Sequence, residues 1–197
     1  YECQVFLPKY PEFGGVTNVN FVGLSSSMFG VHGVDTTEDN ESTTFLADDA
    51  GFQVYAVRDN LTSRRVKFVL TSSLATGGAG VFPEIVSELF DDSYDNETWT
   101  LGVTIKPSGY GVGDLNQALQ AGSGSYVVNF RGYNVEDETV YNSFNLSASF
   151  HSERGIPLLS QNRKPYYGAN RTNFTSSVIT NSDLNIGFFR MWLDDLT

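Results

Sequence analysis

From Glu97 to Lys106 the chain reads Glu-Thr-Trp-Thr-Leu-Gly-Val-Thr-Ile-Lys, with Trp99, Leu101, Val103 and Ile105 at every second position and mostly polar residues between them. A period of two puts successive side chains on opposite faces of an extended backbone, so this stretch buries one face as a strand and not as a helix. Thr139–His151 repeats the pattern, setting Val140, Asn142, Phe144, Leu146, Ala148 and Phe150 against polar positions. Further strands are expected at Cys3–Leu7, Gly14–Leu24, Met28–Val34, Thr43–Ala47, Phe52–Val57, Arg65–Leu70 and Ser125–Phe130, separated by turn-forming residues. Prolines 8 and 11 mark the first of these as an edge strand or lead-in. Regular strands at turn-separated intervals indicate an all-β, two-sheet antiparallel sandwich of about twelve strands. Short helices are expected at Pro83–Phe90, where a proline precedes spaced apolar residues, and at Asp114–Ala121.

Composition agrees. Fifteen Phe, ten Tyr and nineteen Gly beside two His favour strands and turns. A chain of 197 residues with no internal repeat reads as one domain, 1–197, able to bury roughly 70% of its unfolded surface. The single Cys3 leaves no internal disulfide to make. A net charge of −11 disfavours a nucleic-acid groove and adhesion to anionic lipid. No apolar run approaches the length of a membrane span. With no initiator Met or signal pattern at Tyr1, and an acidic helix start at the end of the sequence, a segment of a longer polypeptide is expected.

The closing residues carry a resemblance. Pro165-Tyr166-Tyr167-Gly168-Ala169-Asn170-Arg171-Thr172-Asn173-Phe174 is an aromatic run that turns at a glycine. It is followed by Ser182-Asp183-Leu184-Asn185-Ile186-Gly187-Phe188-Phe189-Arg190-Met191-Trp192-Leu193-Asp194-Asp195-Leu196-Thr197. Large residues at nearly every position from Ile186 to Trp192 read as a strand buried on both faces. This ending resembles the close of a laminin-G-like module of the concanavalin A-like jelly roll, and weaker similarity extends over about two thirds of the chain. The resemblance implies that the last strand returns to the middle of a sheet beside the N-terminal strand, and that Trp99 sits centrally. It also implies a hairpin turn at Arg131-Gly132-Tyr133-Asn134, where the family has Asp-Gly.

Candidate sites follow from residue chemistry. His32 and His151 have no His or Cys partner at ligand spacing, which argues against zinc and against a Cys/His nucleophile pair. Jelly-roll glucanases carry Glu-x-Asp-x-x-Glu on one strand. The runs Glu136-Asp137-Glu138 and Asp91-Asp92-Ser93-Tyr94-Asp95 lack that spacing, so no catalytic residue is expected. Laminin-G-like modules often hold Ca²⁺ at the rim through an Asp and loop carbonyls. Asp35, Asp48 and Asp49 are the metal candidates, with Asp39, Asp91, Asp92 and Asp95 as further loop carboxylates. Tyr110, Tyr133, Asn134, Tyr166 and Tyr167 could form aromatic and polar platforms for a glycan, although core packing is the plainer use of such residues. Asn-x-Ser/Thr sequons occur at Asn40, Asn60, Asn96, Asn145, Asn170 and Asn173, candidates for N-glycosylation in a secreted protein.

The leading expectation is a non-catalytic structural or interaction module of a large extracellular or virion assembly, such as phage capsid, tail or fibre decoration. It would contact neighbouring subunits, other domains of the same polypeptide and host glycans, needing no cofactor beyond Ca²⁺ and binding neither nucleic acid nor membrane. The alternative is a secreted or cell-surface eukaryotic adhesion module that binds glycans or proteins with Ca²⁺. A glycoside hydrolase of the same fold ranks third.

Overall fold

The computed structural model describes residues 1–9, 24–33, 51–60, 63–73, 80–108, 124–160, 163–168 and 185–192. Among these are ten strands and one helix: β1 (Glu2–Leu7), β2 (Ser25–Gly33), β3 (Gly51–Arg58), β4 (Val66–Ser73), β5 (Ile85–Val86), β6 (Glu97–Pro107), β7 (Ser125–Glu136), β8 (Thr139–His151), α1 (Ser152–Ser160), β9 (Arg163–Tyr167) and β10 (Asn185–Arg190). They form two five-stranded sheets, β10-β1-β6-β7-β8 in front and β5-β4-β3-β2-β9 behind, with every strand pair antiparallel. The fold is an all-β sandwich compatible with a jelly roll.

Alternation builds the core. Cys3, Val5 and Leu7 from β1 and Trp99, Leu101 and Val103 from β6 turn inward, and all six are fully buried. They meet Phe29, Phe52, Phe68 and Leu70 of the back sheet. One aromatic cluster joins the two layers: the Trp99 ring lies 4.7 Å from Phe68 and 4.8 Å from Phe90, and Phe144 stacks on Phe68 at 5.7 Å. A second joins Tyr1 to Phe52 at 5.2 Å and Phe29 to Phe189 at 5.8 Å. Each fully buried ring of this size stabilises the fold by about 1.5–3 kcal/mol relative to exposure.

Several expectations are corrected. β1 is not an edge, because it pairs with both β10 and β6. Pro83–Phe90 is not helical. Its backbone runs alongside β4: Ser87 N donates to Phe68 O at 2.9 Å, and Phe90 and Val66 exchange bonds of 2.7 and 2.9 Å. Those long-range bonds satisfy the backbone as a helical turn would have done. Arg131–Asn134 is not a turn either, since β7 runs straight through it to Glu136. The hairpin turn is Asp137-Glu138, with φ of 48° and 63° and Glu136 opposite Thr139. Helix α1, whose Pro157 and Gly155 hide it from a periodicity reading, was not foreseen. The turn at Gly168 is present, with φ at 72°.

The closing strand lies beside the N-terminal strand, as the resemblance implied, but not in mid-sheet. Among the described residues β10 is the outer strand of the front sheet, and none of its side chains is fully buried. Met191 and Trp192, just beyond it, are 53% and 45% exposed. Its aromatic density serves two faces of an edge: Ile186 and Phe189 pack on the core while Phe188 faces out. Trp99 does sit centrally, on the third of five strands. The expected Gly14–Leu24, Thr43–Ala47 and Asp114–Ala121 elements fall wholly or almost wholly outside the described residues.

Two-residue hairpins prefer glycine at the second position because both residues need positive φ. Glu138→Gly should therefore raise stability by about 1 kcal/mol, the left-handed penalty of a side chain there. A urea midpoint unmoved or lowered by the change would contradict this.

The buried thiol gives an alkaline limit. Burial pushes Cys3 up to about 12 from 9.0. Burial raises Tyr1 as well, with the Arg163 guanidinium pulling the other way. The protonated thiol is the neutral form, so the folded chain keeps a proton that the unfolded chain releases above pH 9. Stability contributed below pH 9 is then lost as pH rises toward 12, at about 1.4 kcal/mol per pH unit for the thiol. Unfolding measured across this range should show a shallower slope in Cys3→Ala; an unchanged slope would assign the loss elsewhere.

Candidate functional site

The two sheets differ in what their outer faces meet. The back sheet is covered at the centre of its outer face, where Gln53 and His32 are 0% and 2% exposed and their Nε2 atoms lie 3.1 Å apart. The outer face of the front sheet is open. Antiparallel register lines up side chains across it. Phe188 of β10 lies opposite Gln4 of β1, Gln4 opposite Thr100 of β6, Thr100 opposite Tyr133 of β7, and Tyr133 opposite Ser143 of β8. One row thus crosses all five strands. The adjoining row begins with Arg190 opposite Glu2.

These rows line a shallow groove of about 420 Å³ formed by Glu2, Gln4, Thr98, Thr100, Tyr133, Val135, Phe188 and Arg190. Its aromatic walls, Phe188 and Tyr133, stand three strand spacings apart, roughly 14 Å. The floor between them is polar: the Gln4 amide and the Thr100 hydroxyl, with Thr98 alongside. Gly187 makes room for the amide, because a Cβ there would come 3.2 Å from Gln4 Cδ. The Arg190 guanidinium lies over the Phe188 ring at 4.1 Å and reaches to 6.0 Å from Trp192. Such a cation–π stack holds the charge at the groove mouth and stiffens the wall.

Of the expected platform residues, Tyr133 is in this groove and 36% exposed. Asn134, next to it, points the other way. It is buried, its Nδ2 donates to Glu97 Oε2 at 2.8 Å, and its Oδ1 accepts from Asn142 N at 2.7 Å. Its hydrogen bonds close the sheet end. Tyr166 and Tyr167 lie on β9, in the other sheet. Tyr166 packs edge-on to His32 at 5.3 Å, and Tyr167 stacks on Phe189 at 6.0 Å. The structure therefore does not bring these residues together. Tyr110 lies outside the described residues. The groove residues passed over were Glu2, Gln4, Thr98, Thr100, Val135, Phe188 and Arg190. Alternation alone would have turned Phe188 outward had β10 been read as an edge.

Asp35, Asp48 and Asp49 lie outside the described residues, as do Asn40, Asn170 and Asn173. Among the described residues no group of three or more His, Cys, Asp or Glu side chains gathers as a metal site. Asp91 pairs with Arg65 Nε at 2.7 Å, and Asp95 pairs with Arg64 at 3.1 Å and Lys9 at 3.2 Å. These carboxylates hold one end of the sandwich together. Glu136 and Glu138 flank Asp137 in the exposed hairpin. The sequons at Asn60, Asn96 and Asn145 are exposed. Asn60 and Asn96 lie outside the strands, near the two ends of that ion-paired region; Asn96, at φ 68°, accepts from Lys9 N at 3.0 Å. Asn145 is on the outer face of β8, opposite Arg131. No helix among the described residues is long and apolar enough to cross a membrane.

Comparison with protein-family models, with curated proteins and with solved structures gave no match.

Proposed function

We propose that this chain is a non-catalytic interaction module of a large extracellular or virion assembly, and that the front-sheet groove is where it takes up a neutral glycan. The observation that carries the reading is the groove itself, with two aromatic walls over a hydrogen-bonding floor on the outer face of the front sheet. Aromatic rings stack against the apolar faces of sugar rings, while amide and hydroxyl groups reach sugar hydroxyls. The groove's one acidic and one basic side chain, Glu2 and Arg190, leave it without net charge, which suits an uncharged chain of sugars over an acidic or basic one. The laminin-G-like resemblance of the closing residues supports the same class of role.

Calorimetry against a panel of neutral oligosaccharides tests it. Tyr133→Ala is expected to weaken binding about tenfold, the scale of one stacked aromatic contact. Failure of every oligosaccharide to bind the native chain at millimolar concentration would sink the glycan reading, as would binding indifferent to Tyr133.

The exposed sequons at Asn60, Asn96 and Asn145 favour a second reading, a secreted adhesion module. Intact mass of the chain from its native source separates the two. Hexose-rich additions support secretion through a glycosylating pathway, and an unmodified mass inside a purified particle supports the virion.

A further inference from the structure

The outer strands of the two sheets are protected unequally. β9 carries Arg163, Lys164 and Pro165 within five residues. β5 is two residues long, with Glu84 before it and Glu88 shortly after. β10 ends on Arg190, and its pairing with β1 slips register between Gln4 and Val5. Charge, proline, shortness and irregular pairing are the features that stop a sheet edge from joining another chain. β8 lacks nearly all of them. Its thirteen residues, Thr-Val-Tyr-Asn-Ser-Phe-Asn-Leu-Ser-Ala-Ser-Phe-His, include no Asp, Glu, Lys, Arg or Pro. Its single register shift lies at the hairpin end, opposite Asn134 and Val135. Among the described residues β8 pairs only with β7, leaving a backbone edge about 44 Å long. Val140 and Tyr141 on it are 55% and 70% exposed.

We propose that β8 is a homodimer interface, where two copies of this chain pair β8 to β8, antiparallel, and merge their front sheets into one of ten strands. The occupant is a second copy because of charge and symmetry. A chain of net charge −11 repels its own copies over most of its surface, and β8 offers a contact without opposed like charges. A twofold axis at Asn145, the middle residue of the strand, makes the contact isologous. Phe144 then faces the partner's Leu146 and Asn142 its Ala148, extending the inner row across the junction, while the register shift leaves Val140 on the outer face opposite Val135. On the outer row Tyr141 meets Ser149, Ser143 meets Ser147, and Asn145 meets its own copy. Two consequences follow. An N-glycan on Asn145 and the dimer exclude each other. If the groove reading also holds, two grooves lie on one face of a continuous sheet and bind a repeating glycan with avidity.

Sedimentation velocity of the unglycosylated 197-residue chain tests this without reference to any glycan. Over about 1 to 100 µM, the range of a modest self-association, the mass should rise from 21.7 kDa toward twice that value. The double variant Ser143→Lys, Ser147→Lys places lysines opposite each other across the axis. Both sites are exposed, so the circular dichroism spectrum should stay unchanged while dimerisation weakens at least tenfold. Mixing it with Ser143→Glu, Ser147→Glu should restore a heterodimer. A native chain that stays monomeric throughout the range overturns the proposal. So does a dimer indifferent to the lysines, a mixture that forms no heterodimer, or a native chain fully glycosylated at Asn145.

Discussion

Trp99→Ala should lower folding stability by about 3–5 kcal/mol, the cost of emptying an aromatic-sized volume in a packed core. Trp99 is fully buried, at the point where rings from both sheets converge: Phe68, Phe90 and Phe144 lie 4.7, 4.8 and 6.5 Å from it. None of those neighbours closes the gap without giving up its own contacts. Its indole Nε1 is buried with no hydrogen-bond partner, so the side chain contributes through packing and not through polarity. Trp99→Phe should therefore retain most of the stability lost in the alanine variant. Urea unfolding of the two variants checks both statements. A Phe variant as unstable as the Ala variant would mean that the N–H does hold a partner. Against a total of 5–15 kcal/mol for an ordinary domain, the alanine change removes a large share.

Gly132→Ala should cost about 1–3 kcal/mol, although alanine is normally the better strand residue. Gly132 lies in mid-strand between Leu101 and Phe144, and the Phe144 ring occupies the space a side chain would need. A Cβ there would stand 2.7 Å from Phe144 Cζ and 2.8 Å from Leu101 Cδ2. The ring has nowhere to go, since Phe130 presses on it at 4.9 Å and Phe90 stacks at 5.8 Å. Pairing Gly132→Ala with Phe144→Leu should recover part of the loss, because the smaller residue vacates the overlap. If the double variant shows no such recovery, the ring is not the obstacle.

That glycine also shows how far the sequence could be read. As letters, Arg131-Gly132-Tyr133-Asn134 is a hairpin turn, and nothing local tells a turn glycine from one that shelters a ring twelve positions later in sequence. The long alternating strands, Glu97–Pro107 and Thr139–His151, were legible because burying one face imposes a period of two. Pro83–Phe90 was misread because its spacing of apolar residues suits a helical turn, while bonds to Phe68 and Val66 decide its conformation. Strand order was the least legible. Cys3–Leu7 carries its prolines outside the paired residues, so they do not bar neighbours on both sides. At Ile186–Arg190 large residues on both faces suggested burial, where one face serves the core and the other a groove. The groove was half visible: Tyr133 was picked for its ring, but Phe188, Gln4 and Thr100 join it only through a register spanning nearly the whole chain.

One practical consequence comes from Cys3. Its sulfur is sealed between the layers and holds its proton well past neutrality. Alkylating dyes and spin labels attack the thiolate, so the native chain is silent toward them as it stands. A cysteine placed at any exposed position could then carry a single probe, and distances across the molecule could be mapped without first mutating the original residue.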